Sequence, residues 1–159
     1  MRHAKSDWAN NLPDIERPLN SRGKKAAPFM AEQLRKLNKI PDIIMCSPAK
    51  RAVSTAKKVI KVINYEKELL IVEDFYFGHI NRIIDLIKSI SNENASVLIV
   101  GHNPIWEDLI MTLINKGTYI VMPTAAIASV IFDVDDWQKI SEKTGDLEWL
   151  ITPKGLSNE

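Results

Sequence analysis

The sequence predicts a layered α/β fold with a mostly parallel sheet, and three observations lead to this prediction. Short apolar runs of strand length alternate with longer stretches in which apolar residues recur every three or four positions. Strands buried on both faces are continuously apolar, as Ile43–Cys46 and Val97–Val100 are. Beyond residue 117 the helical spacing ends, and strands separated by turns follow. A chain of 159 residues is expected to form a single domain over 1–159.

The first half of the chain supplies two helices and a strand. The first twenty residues are polar and contain Pro13 and Pro18, which predicts a loop with turns. Asn20 or Ser21 is expected to cap the first helix, and Pro28 to mark a bend or its first turn. The predicted elements are a helix with apolar positions from Ala27 to Leu37, a strand over Ile43–Cys46, and a helix with apolar positions from Ala49 to Ile63.

The second half continues the alternation and then changes character. A weaker strand pattern and a third helical stripe precede the clearest buried strand, which ends at Gly101. A fourth helix is expected to stop near Lys116 and Gly117. The predicted elements are strands at Leu69–Val72 and Val97–Val100, helices at Ile80–Ile90 and Ile105–Leu113, tail strands at Thr118–Met122, Ala126–Phe132 and Leu147–Ile151, and a turn at Asp133–Asp136.

Composition excludes several classes of protein. Lys and Arg number 21 against 20 Asp and Glu, a net charge of +1 that gives no basic surface for nucleic acid or an anionic membrane. No apolar run approaches the roughly 18–20 residues that span a bilayer, and the N-terminus lacks the apolar core of a secretory signal. A single cysteine cannot form an intramolecular disulfide, so we expect a cytoplasmic protein. Composition leaves the oligomeric state open, with a monomer favoured.

Two basic side chains follow the two clearest strands. His102 lies in the turn after Val97–Val100, and Arg51 lies in the first turn of the helix after Ile43–Cys46. The carboxyl ends of strands in an open α/β sheet border the crevice where ligands bind. Helix N-termini there provide unpaired N–H donors, and an arginine fork matches phosphoryl oxygens. If Arg2 and His3 end a third strand at the same edge, two arginines and two histidines surround one anion.

An ordered set of short motifs resembles the histidine phosphatase superfamily, and within it the small SixA-type phosphohistidine phosphatases. Any one of these motifs is common by chance, but together they cover essentially the whole chain in the expected order. They are Arg2-His3-Ala4, Arg17-Pro18-Leu19, Ser47-Pro48-Ala49-Lys50-Arg51-Ala52, Gly101-His102-Asn103-Pro104 and Ala126-Ile127-Ala128-Ser129. The resemblance implies a three-layer α/β/α sandwich with a mostly parallel central sheet, of the phosphoglycerate mutase-like kind.

The resemblance also implies a mechanism. His3 is expected to be the nucleophile that carries the phosphoryl group, with its other ring nitrogen donating to an acceptor that fixes the tautomer. Arg2, Arg51 and a cationic His102 are expected to bind the phosphoryl oxygens, while Asn103 contacts phosphate or orients the turn. No cofactor or metal is then needed, and two histidines without a carboxylate or thiolate cluster make a poor zinc site.

The leaving group distinguishes the possible substrates. An alkoxide needs a proton, for which Glu73 or Asp74 is the candidate acid, whereas the imidazole of a phosphohistidine leaves more readily. The chain has no clear acid in this segment, which favours a phosphohistidine on a signalling or phosphotransfer protein. The alternatives are a small-molecule phosphomonoesterase on the same scaffold and a non-catalytic phosphate- or phosphoprotein-binding module.

Two further features bear on the mechanism. A cysteine phosphatase places five residues between its cysteine and arginine, but only four separate Cys46 from Arg51, so a buried structural role is expected for Cys46. Only Met1 precedes Arg2, although the family's first strand normally leads into the Arg-His pair. We therefore expect Met1 to be an internal methionine of that strand, and otherwise expect His3 to be loosely held.

Overall fold

The computed structural model describes residues 1–9, 11–115, 117 and 119–156. No helix in these ranges is both long and apolar enough to cross a bilayer. Two short 3-10 turns lie at Asp14–Glu16 and Trp137–Lys139. The other elements, in chain order, are α1 (Ser21–Lys36), β1 (Ile43–Cys46), α2 (Lys50–Ile63), β2 (Leu69–Ile71), α3 (Asp74–Phe77), α4 (Ile80–Lys88), β3 (Val97–Val100), α5 (Ile105–Leu113), β4 (Ile127–Phe132), β5 (Gly145–Ile151) and α6 (Pro153–Leu156).

The central sheet is parallel and lies between two helical layers. Its strands run in the order β2-β1-β3, and Ile44 pairs with Leu69 on one side and Leu98 on the other. Because strand side chains alternate between faces, Ile44 and Cys46 pack with α1 and α2, whereas Met45 packs with α4 and α5. β4 and β5 form a separate antiparallel pair. The predicted three-layer α/β sandwich with a mostly parallel sheet is confirmed.

Residues 1–3 extend the central sheet beyond β3. His3 donates its amide proton to the Gly101 carbonyl at 2.9 Å, and Gly101 donates to the Met1 carbonyl at 3.1 Å. On the other side, Ala125 donates to the His3 carbonyl at 3.1 Å. Both backbone groups of His3 are therefore bonded, and the expectation of a loosely held His3 is wrong. That Met1 belongs to a longer strand stays a prediction.

Most elements match the sequence predictions. Asn20 caps α1 by accepting from the Gly23 amide, and Pro28 lies inside the helix rather than in its first turn. The predicted strand at Thr118–Met122 is wrong for residues 119–122, and Thr118 and Lys116 lie outside the described residues. The Met122 backbone forms hydrogen bonds with side chains instead of with a neighbouring strand: its carbonyl accepts from Arg2 and its amide donates to Glu107.

Candidate active site

The carboxyl ends of β1 and β3 bring the sequence-predicted groups to one edge of the sheet. Arg51 lies in the first turn of α2, which follows β1, and His102 follows β3 directly after Gly101. A side chain at position 101 would collide with the Trp106 ring, since an added Cβ would lie 2.5 Å from it. Glycine thus allows Trp106 to pack beneath the turn that presents His102.

The His3 ring is oriented by its own backbone neighbour. His3 Nδ1 lies 2.8 Å from the Ala4 carbonyl oxygen, which can only accept a hydrogen bond. The proton of the neutral ring therefore resides on Nδ1, and Nε2 keeps a free lone pair. The Ala4 amide donates to Thr55 Oγ1 at 3.0 Å, and the Thr55 hydroxyl donates to the Arg51 carbonyl at 2.7 Å. This relay fixes the His3 segment against α2.

The second histidine lies against the first. The ring centroids of His3 and His102 are 4.9 Å apart, and each residue is only 9% exposed. His102 Nε2 lies 2.7 Å from the Ser47 hydroxyl, which also accepts from the Ala49 amide at 3.3 Å. When the Ser47 hydroxyl donates to Nε2, the proton of a neutral His102 is on Nδ1.

Both imidazoles are neutral near pH 7. Burial, together with the charges of Arg51 and Arg2, lowers the pKa of His3 to about 4. Burial, followed by the neighbouring His3 and Arg51, lowers the pKa of His102 to about 3. A neutral His3 suits nucleophilic attack. A cationic His102 was expected for the phosphate-bound site, and there it stays a prediction.

Arg2 and Asn103 share one acceptor. Arg2 Nη1 donates to the Met122 carbonyl at 2.7 Å, and Asn103 Nδ2 donates to the same oxygen at 3.1 Å. The Glu107 carboxylate accepts from the Met122 amide at 2.6 Å and so holds this loop in place. This hydrogen bond joins Asn103 to the Met122 loop, and its two predicted roles, orienting the turn and contacting phosphate, stay predictions.

Arg51 is held by Asp14, a residue that sequence analysis did not single out. Its Nη1 donates to the Asp14 carbonyl at 2.6 Å and its Nη2 to Asp14 Oδ2 at 2.9 Å. Asp14 Oδ2 also accepts from the Tyr76 hydroxyl at 2.7 Å, and Arg17 Nη2 donates to Oδ1 at 2.7 Å. Although partial burial raises the pKa of Asp14, hydrogen bonds from Tyr76, Arg17 and Arg51 hold it well below its usual range.

Three side-chain nitrogen atoms in this cluster have no hydrogen-bond partner within the described part of the chain. They are Arg2 Nε, Arg51 Nε and His102 Nδ1, and all three are buried. A buried unpaired donor costs about 1–3 kcal/mol, so several together indicate a ligand that accepts hydrogen bonds. Arginine and imidazole donors suit an anion with several oxygens, which is the chemistry of a phosphoryl group. Arg2, His3, Arg51 and His102 are hereafter called the cationic site, after its two charged arginines.

The other candidate residues have surroundings that give them no role in the reaction. Burial raises the pKa of the Cys46 thiol to about 12, so the thiol is protonated and a poor nucleophile. Asp74 Oδ2 accepts from Arg82 Nε at 3.1 Å, and Glu73 is exposed at the start of α3. In the described ranges, no three His, Cys, Asp or Glu side chains are grouped as metal ligands.

Sequence reasoning missed the outer members of the cluster. Arg17 was noted only as part of a motif, while Asp14 and Tyr76 carried no signal of their own. Pro13 and Pro18 flank the 3-10 turn that brings Asp14 and Arg17 to the site, and the spacing of three between an acid and an arginine was the available clue. Tyr76 belongs to α3, a helix too short to show periodicity.

Comparison with known proteins agrees with this geometry. Residues 1–75 match the profile of the histidine phosphatase superfamily (branch 1). The chain is 29% identical to an uncharacterized protein of Mycobacterium leprae over 97% of this chain and 100% of that protein. It is 26% identical to the phosphohistidine phosphatase SixA of Escherichia coli, over 90% of this chain and 86% of SixA.

A solved structure of a relative shows the same fold over nearly the full length. The structure of the protein histidine phosphatase SixA complexed with tungstate superposes with a TM-score of 0.86 and 26% identity, covering 98% of this chain and 96% of that one. The motifs, the fold and these similarities agree: residues 1–75 match the histidine phosphatase superfamily, the chain is similar to SixA over nearly its whole length, and both similarities support a phosphatase.

Proposed function

We propose that this phosphatase removes the phosphoryl group from a protein phosphohistidine, without a metal ion and through a covalent intermediate on His3. The observation that carries the proposal is the His3 ring itself. Its Nδ1 is bonded to the Ala4 carbonyl at 2.8 Å, its pKa is lowered to about 4 by burial, and Nε2 is left as a free nucleophile.

In the first step, His3 Nε2 attacks phosphorus in line with the substrate's P–N bond. A new P–N bond forms to His3 as the P–N bond to the substrate breaks, and the substrate ring, already protonated at its other nitrogen, leaves as a neutral imidazole. Arg2 Nε, Arg51 Nε and His102 Nδ1, all without partners among the described residues, donate to the phosphoryl oxygens. In phosphoryl transfer, such preorganised donors provide most of the stabilisation of the transition state.

In the second step, water attacks the phosphoryl group on His3, inorganic phosphate leaves, and the neutral imidazole is regenerated. Arg2 and Arg51 remain charged throughout, so they stabilise both transition states equally well. The cationic side chains take the role that a magnesium ion plays in other phosphotransferases.

The state of the carboxylate beside Arg51 supports this substrate class. The one carboxylate bonded to Arg51 in the described structure is Asp14, whose pKa lies well below its usual range, so it holds no proton to donate at neutral pH. An alkoxide leaving group needs such a proton, whereas a phosphohistidine ring can be protonated at its other nitrogen before the bond breaks and then leaves as neutral imidazole. A small-molecule phosphomonoesterase is therefore the weaker alternative. The similarity to a phosphohistidine phosphatase supports the same choice.

The test is hydrolysis of a phosphohistidine substrate and of an alkyl phosphomonoester, both with metals chelated. We expect the wild-type protein to release phosphate from phosphohistidine at an undiminished rate in chelator, and much more slowly from the ester. The His3→Ala variant should lose nearly all activity because it removes the nucleophilic ring, and the other imidazole of the site, His102, has its Nε2 hydrogen-bonded to Ser47.

The matched control is His79→Ala, which removes an exposed histidine at the start of α4. It should keep wild-type activity. A His3→Ala protein as active as the wild type, or loss of wild-type activity in chelator, would overturn the proposed mechanism.

A further inference from the structure

Two aromatic side chains stand exposed at the outer edge of the cationic site. Trp8 is 75% exposed and Phe77 is 79% exposed, although aromatic residues this large usually bury most of their surface. Ile15, the residue that follows Asp14, is exposed as well. These three residues are called the exposed rim.

Contacts tie the exposed rim to the residues that hold Arg51. The Trp8 ring packs on the Arg17 guanidinium, with 3.5 Å between Cζ and the ring centroid, and Arg17 donates to Asp14. The Phe77 ring contacts the Tyr76 ring edge to face at 4.1 Å, and the Tyr76 hydroxyl donates to Asp14. Trp8 and Phe77 are therefore the two ends of one chain of contacts whose centre is Asp14.

The same chain of contacts reaches the catalytic groups. The Tyr76 ring lies 5.5 Å from the His102 ring, and Arg51 is bonded to Asp14. Because His3 and His102 are almost buried, whatever carries a phosphoryl group to them must lie against the surface at the mouth of the site. Asp14, at the centre of the chain, is half exposed at that mouth.

We propose that the exposed rim is the docking surface for a folded protein that presents its phosphohistidine on an exposed face. This inference rests on the proposed function and names the form of its substrate. A phosphohistidine amino acid would enter the cationic site and leave Trp8 and Phe77 in water. A folded carrier covers both rings, and burying aromatic side chains beside a polar site is typical of protein interfaces.

Net charge agrees with docking through apolar surface. The chain carries a net charge of +1, so long-range attraction contributes little to the encounter with any partner. Affinity for a protein must then come from short-range contacts, and aromatic residues provide the largest of these. Because Trp8 and Phe77 are each held at the base by a packed neighbour, little side-chain freedom is lost when a partner covers them.

The test compares three substrates that carry the same phosphohistidine. They are a folded histidine-phosphotransfer domain phosphorylated with phosphoramidate, the excised peptide around its phosphohistidine, and free phosphohistidine. For Trp8→Ala and Phe77→Ala we expect kcat/KM to fall by about tenfold or more with the folded domain, the loss typical of an interface hot spot. With free phosphohistidine, kcat/KM should stay at the wild-type value for both variants.

The matched control is Phe29→Ala, which removes an exposed aromatic ring from α1 and should leave all three activities unchanged. Circular dichroism and thermal melting establish that each variant is folded. If the Trp8→Ala and Phe77→Ala variants are as active as the wild type on the folded domain, the docking surface is overturned and the proposed function stays intact. The same conclusion follows if the variants lose activity equally on all three substrates. If the wild type hydrolyses none of the three substrates, both the docking surface and the proposed function are overturned.

Discussion

The inner and outer sides of the site hold their charged groups by different means. On the inner side, His3 is fixed by backbone hydrogen bonds within the sheet, and Arg51 is placed by the first turn of α2. On the outer side, Asp14 lies in a short 3-10 turn, and side-chain hydrogen bonds from Arg17, Arg51 and Tyr76 hold its carboxylate. The inner side is almost fully buried, whereas the Asp14 side chain is half exposed.

This difference predicts how strongly a substitution on each side changes the activity. The backbone of His3 and of the first turn of α2 stays in place when a neighbouring side chain changes, because the sheet and helix are held by many cooperative contacts. Groups fixed by a few exposed hydrogen bonds depend on each partner. We therefore expect substitutions on the inner side to abolish catalysis, and substitutions on the outer side to lower kcat by a smaller factor.

Removal of Arg51, a cation of the inner side, should cause a large loss of kcat. Arg51→Ala should lower kcat by about 100- to 1000-fold, as expected when a preorganised donor to a transition-state anion is removed. Steady-state kinetics with a phosphohistidine substrate measures the loss, and an unchanged circular dichroism spectrum shows that the fold survives. A loss of less than tenfold would mean that Arg51 does not contact the transferred group.

A smaller loss is expected on the outer side. Asp14→Asn removes the negative charge that holds the Arg51 fork and places an amide against three donors, so kcat should fall by about tenfold. KM should not rise, because the cations proposed to bind phosphate remain. The control is Asp135→Asn, which breaks an exposed ion pair with Lys139 and should change neither constant. A raised KM with an unchanged kcat would contradict the positioning of Arg51 by Asp14.

The pH dependence of activity tests the burial of the two histidines on the inner side. Burial lowers the pKa of His3 to about 4 and that of His102 to about 3, so both rings stay neutral in the folded protein well below the ordinary imidazole value. Activity limited by protonation of His3 should therefore persist at pH 5.5 and be lost only near about pH 4. A kcat/KM profile with its acid limb near 6.5 would contradict a buried neutral nucleophile.

The free energy of unfolding should depend on pH through the same two histidines. The unfolded chain binds protons at the two histidines near pH 6.5, whereas the folded chain does not until about pH 3 to 4. Stability therefore rises with pH across that window and is lost as pH falls through it. Melts from pH 7 to 4 should show this decline, and His3→Gln should reduce its slope. A slope identical to that of the wild type would contradict the depressed pKa of His3.

The smallest effect is expected where sequence analysis placed the candidate acid. Asp74 is paired with Arg82 and Glu73 is exposed, so Asp74→Asn and Glu73→Gln should each change kcat on phosphohistidine by less than about twofold. A loss of tenfold or more in either variant would assign the proton donor to this segment and favour the phosphomonoesterase alternative.

The contrast between the two sides also explains how much the sequence could predict. The strands at Ile43–Cys46 and Val97–Val100 are continuous apolar runs, and topology then dictates that Arg51 and His102 follow them at one edge. Asp14 and Tyr76 meet across 62 positions through side chains in irregular or very short elements. No periodicity marks such contacts. The segment 119–122 misled the prediction because its apolar residues line a loop that is held by Arg2 and Glu107.

The covalent intermediate gives the most direct test of the central assignment. Under single-turnover conditions with excess enzyme, the reaction is quenched in alkali, where phosphohistidine survives, and the digested enzyme is mapped by mass spectrometry. One phosphoryl group should accumulate transiently on His3, and none should accumulate in His3→Gln. Release of phosphate with His3 unmodified at every time point, or a phosphoryl group on another residue such as Cys46, would contradict the account.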